Sequence, residues 1–282
     1  MGLQNGYFRP TSVDEALDHL AANDLTIAAG CTDLFPATEQ KTLGGPVLDI
    51  SGITALRGFR KNETGITIGA TTTWSDLIAA PLPSAFGGLK LAAREVGARQ
   101  IQNRGTLAGN LCNASPAADG VPPLLTLDAQ VVLASKAGRR VMPLADFLIG
   151  PRQTARRADE LLEGVHIPAS ALMGDGQFLK LGARKYLVIS IAMVAARLVI
   201  ADGVVAEAAL AIGACGPVAA RLPKAEAALV GQPMDPGLIN ASHLQGYLAP
   251  IDDMRADAAY RTTVATELVQ RILGRFAESR SA

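Results

Sequence analysis

Two short stretches carry residue types that can grip anionic oxygen without a metal or a basic cluster. The first is Ala28-Ala29-Gly30-Cys31-Thr32-Asp33-Leu34. Small residues around a glycine, at the end of an apolar strand pattern, let the chain turn sharply and expose successive backbone N–H groups. A concave run of such donors is a nest for phosphate-like oxygens. An ordinary strand-to-helix turn fits the same residues. The second stretch is Asn103-Arg104-Gly105-Thr106-Leu107-Ala108-Gly109-Asn110, continuing through Ser115-Pro116-Ala117-Ala118-Asp119. Gly105 and Gly109 permit close backbone approach and unusual dihedrals. Thr106, Asn110 and Ser115 offer side-chain hydrogen bonds, and Asp119 can accept from a hydroxyl. That mixture suits a diphosphate joined to a sugar. A solvated surface loop is the plainer alternative, and the length and density of small residues weigh against it.

Other chemistries lack their residues. No G-x-G-x-x-G follows the first strand and no G-x-x-x-x-G-K-[ST] occurs, so neither a Rossmann dinucleotide site nor a P-loop is supported. Cys31, Cys112 and Cys215 fit no zinc or iron–sulfur spacing, and His19, His166 and His243 stand in unrelated contexts. No serine or cysteine lies in a nucleophile elbow. Lys plus Arg number 26 and so do Asp plus Glu, so no net field steers the chain to nucleic acid. The longest apolar run, 187–201, is broken by Ser190 and Arg197 and is too short and polar to span a bilayer. The first residues show no signal-peptide pattern, and the few cysteines fit a reduced, cytoplasmic setting.

The elements that must hold these stretches are legible from periodicity. Apolar residues make up 49% and aromatics 4%, so the core must be mainly Ala, Val, Leu and Ile. Ser12 and Glu15 form a capping-box pair before the stripe Val13, Ala16, Leu17, Leu20 and Ala21. Strands are expected at 25–29, 47–50 and 65–70, and helices at 74–79 and 84–96. From 99 to 119 periodicity vanishes and a structureless loop is expected. Strands follow at 129–135 and 161–167. Pro168 and residues 174–176 read as a linker, followed by a strand at 187–200, with a partly helical segment as the alternative there, a strand at 208–214, and helices at 224–230 and 256–276. Val264, Leu268, Ile272 and Phe276 give the last helix its buried stripe.

At the two stretches the sequence resembles a known family. AAGCTDL is similar to the first FAD loop of the molybdenum hydroxylase flavoproteins, usually AGGTDL, and RQIQNRGTLAGNLCNASPAAD to their second loop. Further resemblance lies in Leu161-Leu162-Glu163-Gly164-Val165-His166-Ile167-Pro168, in Phe178-Leu179-Lys180-Leu181-Gly182-Ala183-Arg184, and in Asp252-Asp253-Met254-Arg255 with Ala258, Tyr260 and Arg261. Three positions depart from the pattern: Cys31 and Ala108 replace glycines, and Ala219 replaces a proline.

The resemblance implies an α+β fold. A two-part FAD-binding domain of the molybdenum hydroxylase/vanillyl-alcohol-oxidase type would cover 1–172, subdivided near 53–56, and a smaller α+β domain would cover 173–282. It implies FAD contacts at Thr26, Ile27, Ala28, Ala29, Gly30, Cys31, Thr32 and Asp33, and at Thr106, Leu107, Ala108, Gly109 and Asn110, with the diphosphate between the two loops and held mainly by the backbone N–H groups from Ala29 to Asp33 and from Thr106 to Asn110. Asp119 would bind a flavin-side hydroxyl, and Leu162 and Lys180 would lie near the isoalloxazine. It implies an oxidoreductase subunit that takes electrons from a [2Fe–2S] small subunit, beside a large molybdenum-cofactor subunit, in a dimer of heterotrimers. A free-standing FAD oxidase and a flavin-free scaffold are the alternatives. The short, weakly aromatic C-terminal region opposes the first, and intact Gly105–Asn110 and Asp119 oppose the second.

Overall fold

Ser12 starts the first helix much as its spacing to Glu15 implies. Its Oγ accepts from the Glu15 N–H at 3.2 Å, while Glu15 Oε2 accepts from the N–H of Thr11 rather than closing the box on Ser12. The computed structural model describes residues 6–39, 43–185 and 187–278. Strands β1 (Tyr7–Phe8), β2 (Thr26–Ala28) and β3 (Val47–Asp49) form a parallel layer in the order β1-β3-β2, and α1 (Val13–Ala22) joins the first two. Ala16, Leu17 and Leu20 are the buried stripe of α1.

The chain continues through β4 (Phe59–Asn62), β5 (Gly65–Gly69), α2 (Trp74–Ala79) and α3 (Gly87–Glu95). Three short helices follow, α4 (Arg99–Gln102), α5 (Leu107–Asn113) and α6 (Val121–Thr126). Then come β6 (Gln130–Ser135), β7 (Gly138–Pro143), α7 (Leu144–Phe147), the hairpin of β8 (Leu148–Gly150) and β9 (Gln153–Thr154), and β10 (Leu161–Pro168). β10 enters the middle of an antiparallel sheet, β4-β5-β10-β6-β7. The edge strands β4 and β7 escape sequence reading because they are charged and largely exposed, as edges often are.

The remainder is an antiparallel sheet of β11 (Asp175–Leu181), β12 (Ala192–Ala201), β13 (Val204–Gly213) and β14 (Ala220–Arg221), with α8 (Pro223–Leu229), α9 (Ala241–Leu244) and α10 (Ala258–Glu278). Both faces of β12 are covered. Ala192, Val194, Ala196 and Leu198 pack with Ala265, Leu268, Ile272 and Phe276, whereas Met193 and Ala195 cluster with Phe178 and with Ala92 of α3. A strand buried on both faces shows no alternation, and it begins at Ala192, later than expected.

Two expectations are corrected. The segment from 99 to 119 is not structureless: it contains α4 and α5, of 4 and 7 residues, too short to display a helical period. The expected linker is not one either. Pro168 is the last residue of β10, and Gly176 lies inside β11. There a Cβ would overlap the carbonyl oxygen of Ala85 and come within 2.8 Å of the Gly88 nitrogen, so the glycine serves close backbone approach rather than flexibility. Among the described residues no helix is long and apolar enough to cross a membrane.

Candidate cofactor-binding cleft

β2 delivers its end to the turn of Ala29 to Asp33. Cys31 sits there at φ +59°, a left-handed conformation that costs a residue with a Cβ about 1–2 kcal/mol. That is the physical reason glycine suits this position in the resembling pattern. Among the described residues, the backbone N–H groups of Gly30, Cys31, Thr32 and Asp33 have no hydrogen-bond acceptor. Four successive free donors on a cleft wall match the nest read from the sequence. Gly30 also brings the two loops together. A Cβ on it would overlap the carbonyl oxygen of Arg104 and lie 2.9 Å from the Gly105 Cα.

The second loop is fixed from behind. The N–H of Trp74 donates to the Gly105 carbonyl at 3.2 Å, and the N–H of Leu107 to the Thr72 carbonyl at 3.0 Å. Thr106 caps α5, its Oγ1 accepting from the Gly109 N–H at 3.1 Å, and the Asn110 N–H returns to the Thr106 carbonyl at 3.0 Å. The expectation that this whole run offers N–H groups to a diphosphate is therefore too generous. Those of Leu107, Gly109 and Asn110 are committed within the protein, and that of Ala108 is free among the described residues. Gly109 needs no unusual dihedral. A Cβ there would meet Thr106 Oγ1 at 2.8 Å and otherwise face open space.

The loops border a cleft of about 1170 Å³, above the roughly 300–1,000 Å³ of ordinary small-molecule pockets. Thr26, Ile27, Ala29, Gly30, Cys31, Thr32, Asp33, Thr106, Ala108, Gly109, Asn110, Asp119, Leu162 and Lys180 all line it. Ala28 and Leu107 do not, because their side chains are buried in the core. The strand β10 positions Leu162, which is 2% exposed.

At the inner end, Lys180 of β11 meets Asp119, which precedes α6. Nζ donates to Oδ2 at 2.6 Å, and the side chains are 7% and 9% exposed. The buried Ser190 Oγ donates to Oδ1 at 2.7 Å. Burial pushes the Asp119 carboxyl above its usual range, against the opposing pull of the Lys180 charge and the two hydrogen bonds. The sequence reading placed Asp119 and Lys180 separately and missed their pairing. It also missed Ser190, which lacks any local signal because its partner is 71 residues away. Behind Ser190, buried Arg261 donates to the Ile191 and Ala214 carbonyls at 2.5 and 3.1 Å and to Asp253 at 2.7 Å. Arg152 and Arg156 also line the cleft. Arg152 donates to Asn113, and neither arginine belongs to a recognisable motif.

The donor set fits FAD. The residues with free N–H groups line the cleft, and Lys180, also in the lining, has only one acceptor, Asp119, among the described residues, leaving two donors of a buried ammonium for a ligand.

Comparison with known proteins agrees. Residues 3–170 match the model of the FAD binding domain in molybdopterin dehydrogenase, and residues 177–276 that of the CO dehydrogenase flavoprotein C-terminal domain. The chain is 30% identical to the nicotine 6-hydroxylase medium subunit of Paenarthrobacter nicotinovorans, covering 95% of each chain. It is 29% identical to the carbon monoxide dehydrogenase medium chain of Hydrogenophaga pseudoflava, again covering 95% of each. A solved structure of carbon monoxide dehydrogenase from the latter organism superposes with a TM-score of 0.88 at 30% identity, covering 97% of both chains. Quinoline 2-oxidoreductase from Pseudomonas putida 86 does so with 0.87 at 26%, covering 99% of both. Paired with the free N–H groups and buried lysine of the cleft, these matches place the chain in the family of FAD-binding medium subunits of molybdenum hydroxylases.

Proposed function

We propose that this cleft holds FAD with its diphosphate between Ala29–Asp33 and Thr106–Asn110 and its isoalloxazine toward Leu162 and Lys180. The observation that carries the reading is the run of free N–H groups from Gly30 to Asp33, in a cleft that the second loop also lines. Four donors held by a rigid turn bind phosphate oxygens without reorganisation. Leu162 supplies an apolar wall, and the Lys180 ammonium places positive charge where reduction of a flavin adds negative charge. Asp119 serves mainly through Lys180, with lone pairs left for a hydroxyl.

When bound, FAD supplies the ability to collect electrons singly and release them in pairs. The electrons would come from a [2Fe–2S] small subunit, with the substrate oxidised at molybdenum on a large subunit and an external acceptor reduced here. The medium-chain relatives support that division of labour. The same reading has the chain divide near residue 172, sit in a dimer of heterotrimers, and work in the cytoplasm.

The test is occupancy. Purified full-length protein should carry flavin that acid precipitation leaves in the supernatant, which identifies it as non-covalent. Colourless protein that takes up no added FAD would overturn the reading.

A further inference from the structure

FAD binding explains a lysine at the inner end of the cleft, but not a carboxylate buried against it. Asp119 is held from both sides, by Ser190 Oγ at 2.7 Å and Lys180 Nζ at 2.6 Å. The three residues come from separate places in the fold: the segment before α6, the end of β11 and the approach to β12. Arg261 fixes the last of these through the carbonyl of Ile191, next to Ser190.

We propose that Asp119, clamped by Ser190 and bonded to Lys180, lowers the reduction potential of the flavin by offsetting part of the Lys180 charge. The proposal rests on the reading that FAD occupies this cleft. The bond to a carboxylate that is itself held by Ser190 keeps the two opposite charges side by side in the cleft lining. In a weakly screened interior, a negative charge one hydrogen bond from a positive one subtracts from the field felt beyond it. Lys180 favours electron uptake by its neighbour, and Asp119 restrains it. The two residues therefore act on the potential with opposite signs, although they are partners in one bond.

Opposite sign is the measurable signature. The full-length, flavin-loaded protein is titrated spectroelectrochemically as wild type, Lys180→Met and Asp119→Asn. Lys180→Met should lower the two-electron potential and Asp119→Asn should raise it. Each shift should be about tenfold or more in the reduction equilibrium constant, equivalent to about 30 mV for two electrons. A merely structural pair predicts weaker flavin binding in both variants and shifts of the same sign, or none. Either of those results overturns the proposal. If Asp119→Asn loses flavin on purification, its titration is run with FAD in excess. A potential above that of wild type supports the proposal, and one equal to it or lower, or no binding at any FAD concentration, overturns it. Wild type without flavin would instead defeat the FAD reading itself.

Discussion

Gly30 faces the carbonyl oxygen of Arg104 with no room for a methyl group between them. This contact sets the separation of the two loops and hence the width of the cleft. Gly30→Ala must push the loops apart. It should destabilise the flavin-free protein by about 1–3 kcal/mol, as overpacking does, and lower flavin content sharply while leaving the far-ultraviolet circular dichroism native. Thermal melts of stripped protein and flavin absorbance of the purified variant check both parts. Wild-type occupancy in the variant would show that the spacing does not matter.

Gly109→Val separates folding from binding. The added side chain crowds the capping hydroxyl of Thr106 at 2.8 Å and otherwise extends into the cleft. Loss of a cap costs about 1 kcal/mol, partly offset by the better helix propensity of valine. The stripped protein should melt close to wild type and bind FAD at least tenfold more weakly. Isothermal titration of FAD into both stripped proteins measures this, and equal dissociation constants would remove α5 from the site.

Cys31 should be strained. Its φ of +59° favours glycine, but glycine also loosens the unfolded chain by about 0.4–1 kcal/mol. The net expectation is that Cys31→Gly stabilises by roughly 0.5 kcal/mol and that Cys31→Val, with a branched Cβ, destabilises by about 1 kcal/mol or more. Denaturant unfolding of the stripped variants gives the order, and a glycine variant less stable than the valine variant would contradict it.

Asp253 links stability to acid. The Arg255 N–H, with further hydrogen bonds from the Arg255 side chain, the Ala256 N–H and Arg261, lowers its carboxyl from 3.8 to about 2. A carboxyl lowered in the folded state contributes stability that is present above its unfolded value and lost as pH falls through the folded one. The melting-temperature gap between wild type and Asp253→Asn should therefore be full above about pH 5 and should close between pH 3.8 and about 2. A gap that does not change with pH would assign the loss to packing alone.

The sequence disclosed those parts of the molecule whose signals are local. The α1 stripe, the helix from Trp74 to Ala79 and both loops were readable because capping, period and glycine placement act within a few residues. What stayed hidden depends on distance in the chain. Asp119 meets Lys180 61 residues later and Ser190 71 later, and no periodicity encodes such pairings. The free N–H groups of 30–33 were anticipated, while those of Leu107, Gly109 and Asn110 were overcounted. Thr106 offered a hydroxyl whose partner the sequence could not name, and in the structure that hydroxyl caps its own helix. Gly176 was misread for a related reason: a glycine that admits a neighbouring backbone and one that frees its own look alike in one dimension.

That neighbouring backbone belongs to α3 and the residues just before it. A Cβ on Gly87 would overlap the Gly176 carbonyl, and one on Gly88 would lie 2.7 Å from the Gln177 carbonyl. Lys180 stands four residues beyond Gly176 on the same strand, so this seam fixes how far its ammonium reaches toward the loops. The gap between the two matched family models, after residue 170 and before 177, is therefore a poor point for recombination. A chimera that took its first 172 residues from one relative and the rest from another would graft a lysine onto a foreign seam, and a single methyl group there would shift it away from Asp119. Gly87, Gly88 and Gly176 must travel together with Asp119 and Lys180 as one heritable block, although they span the join between the two halves.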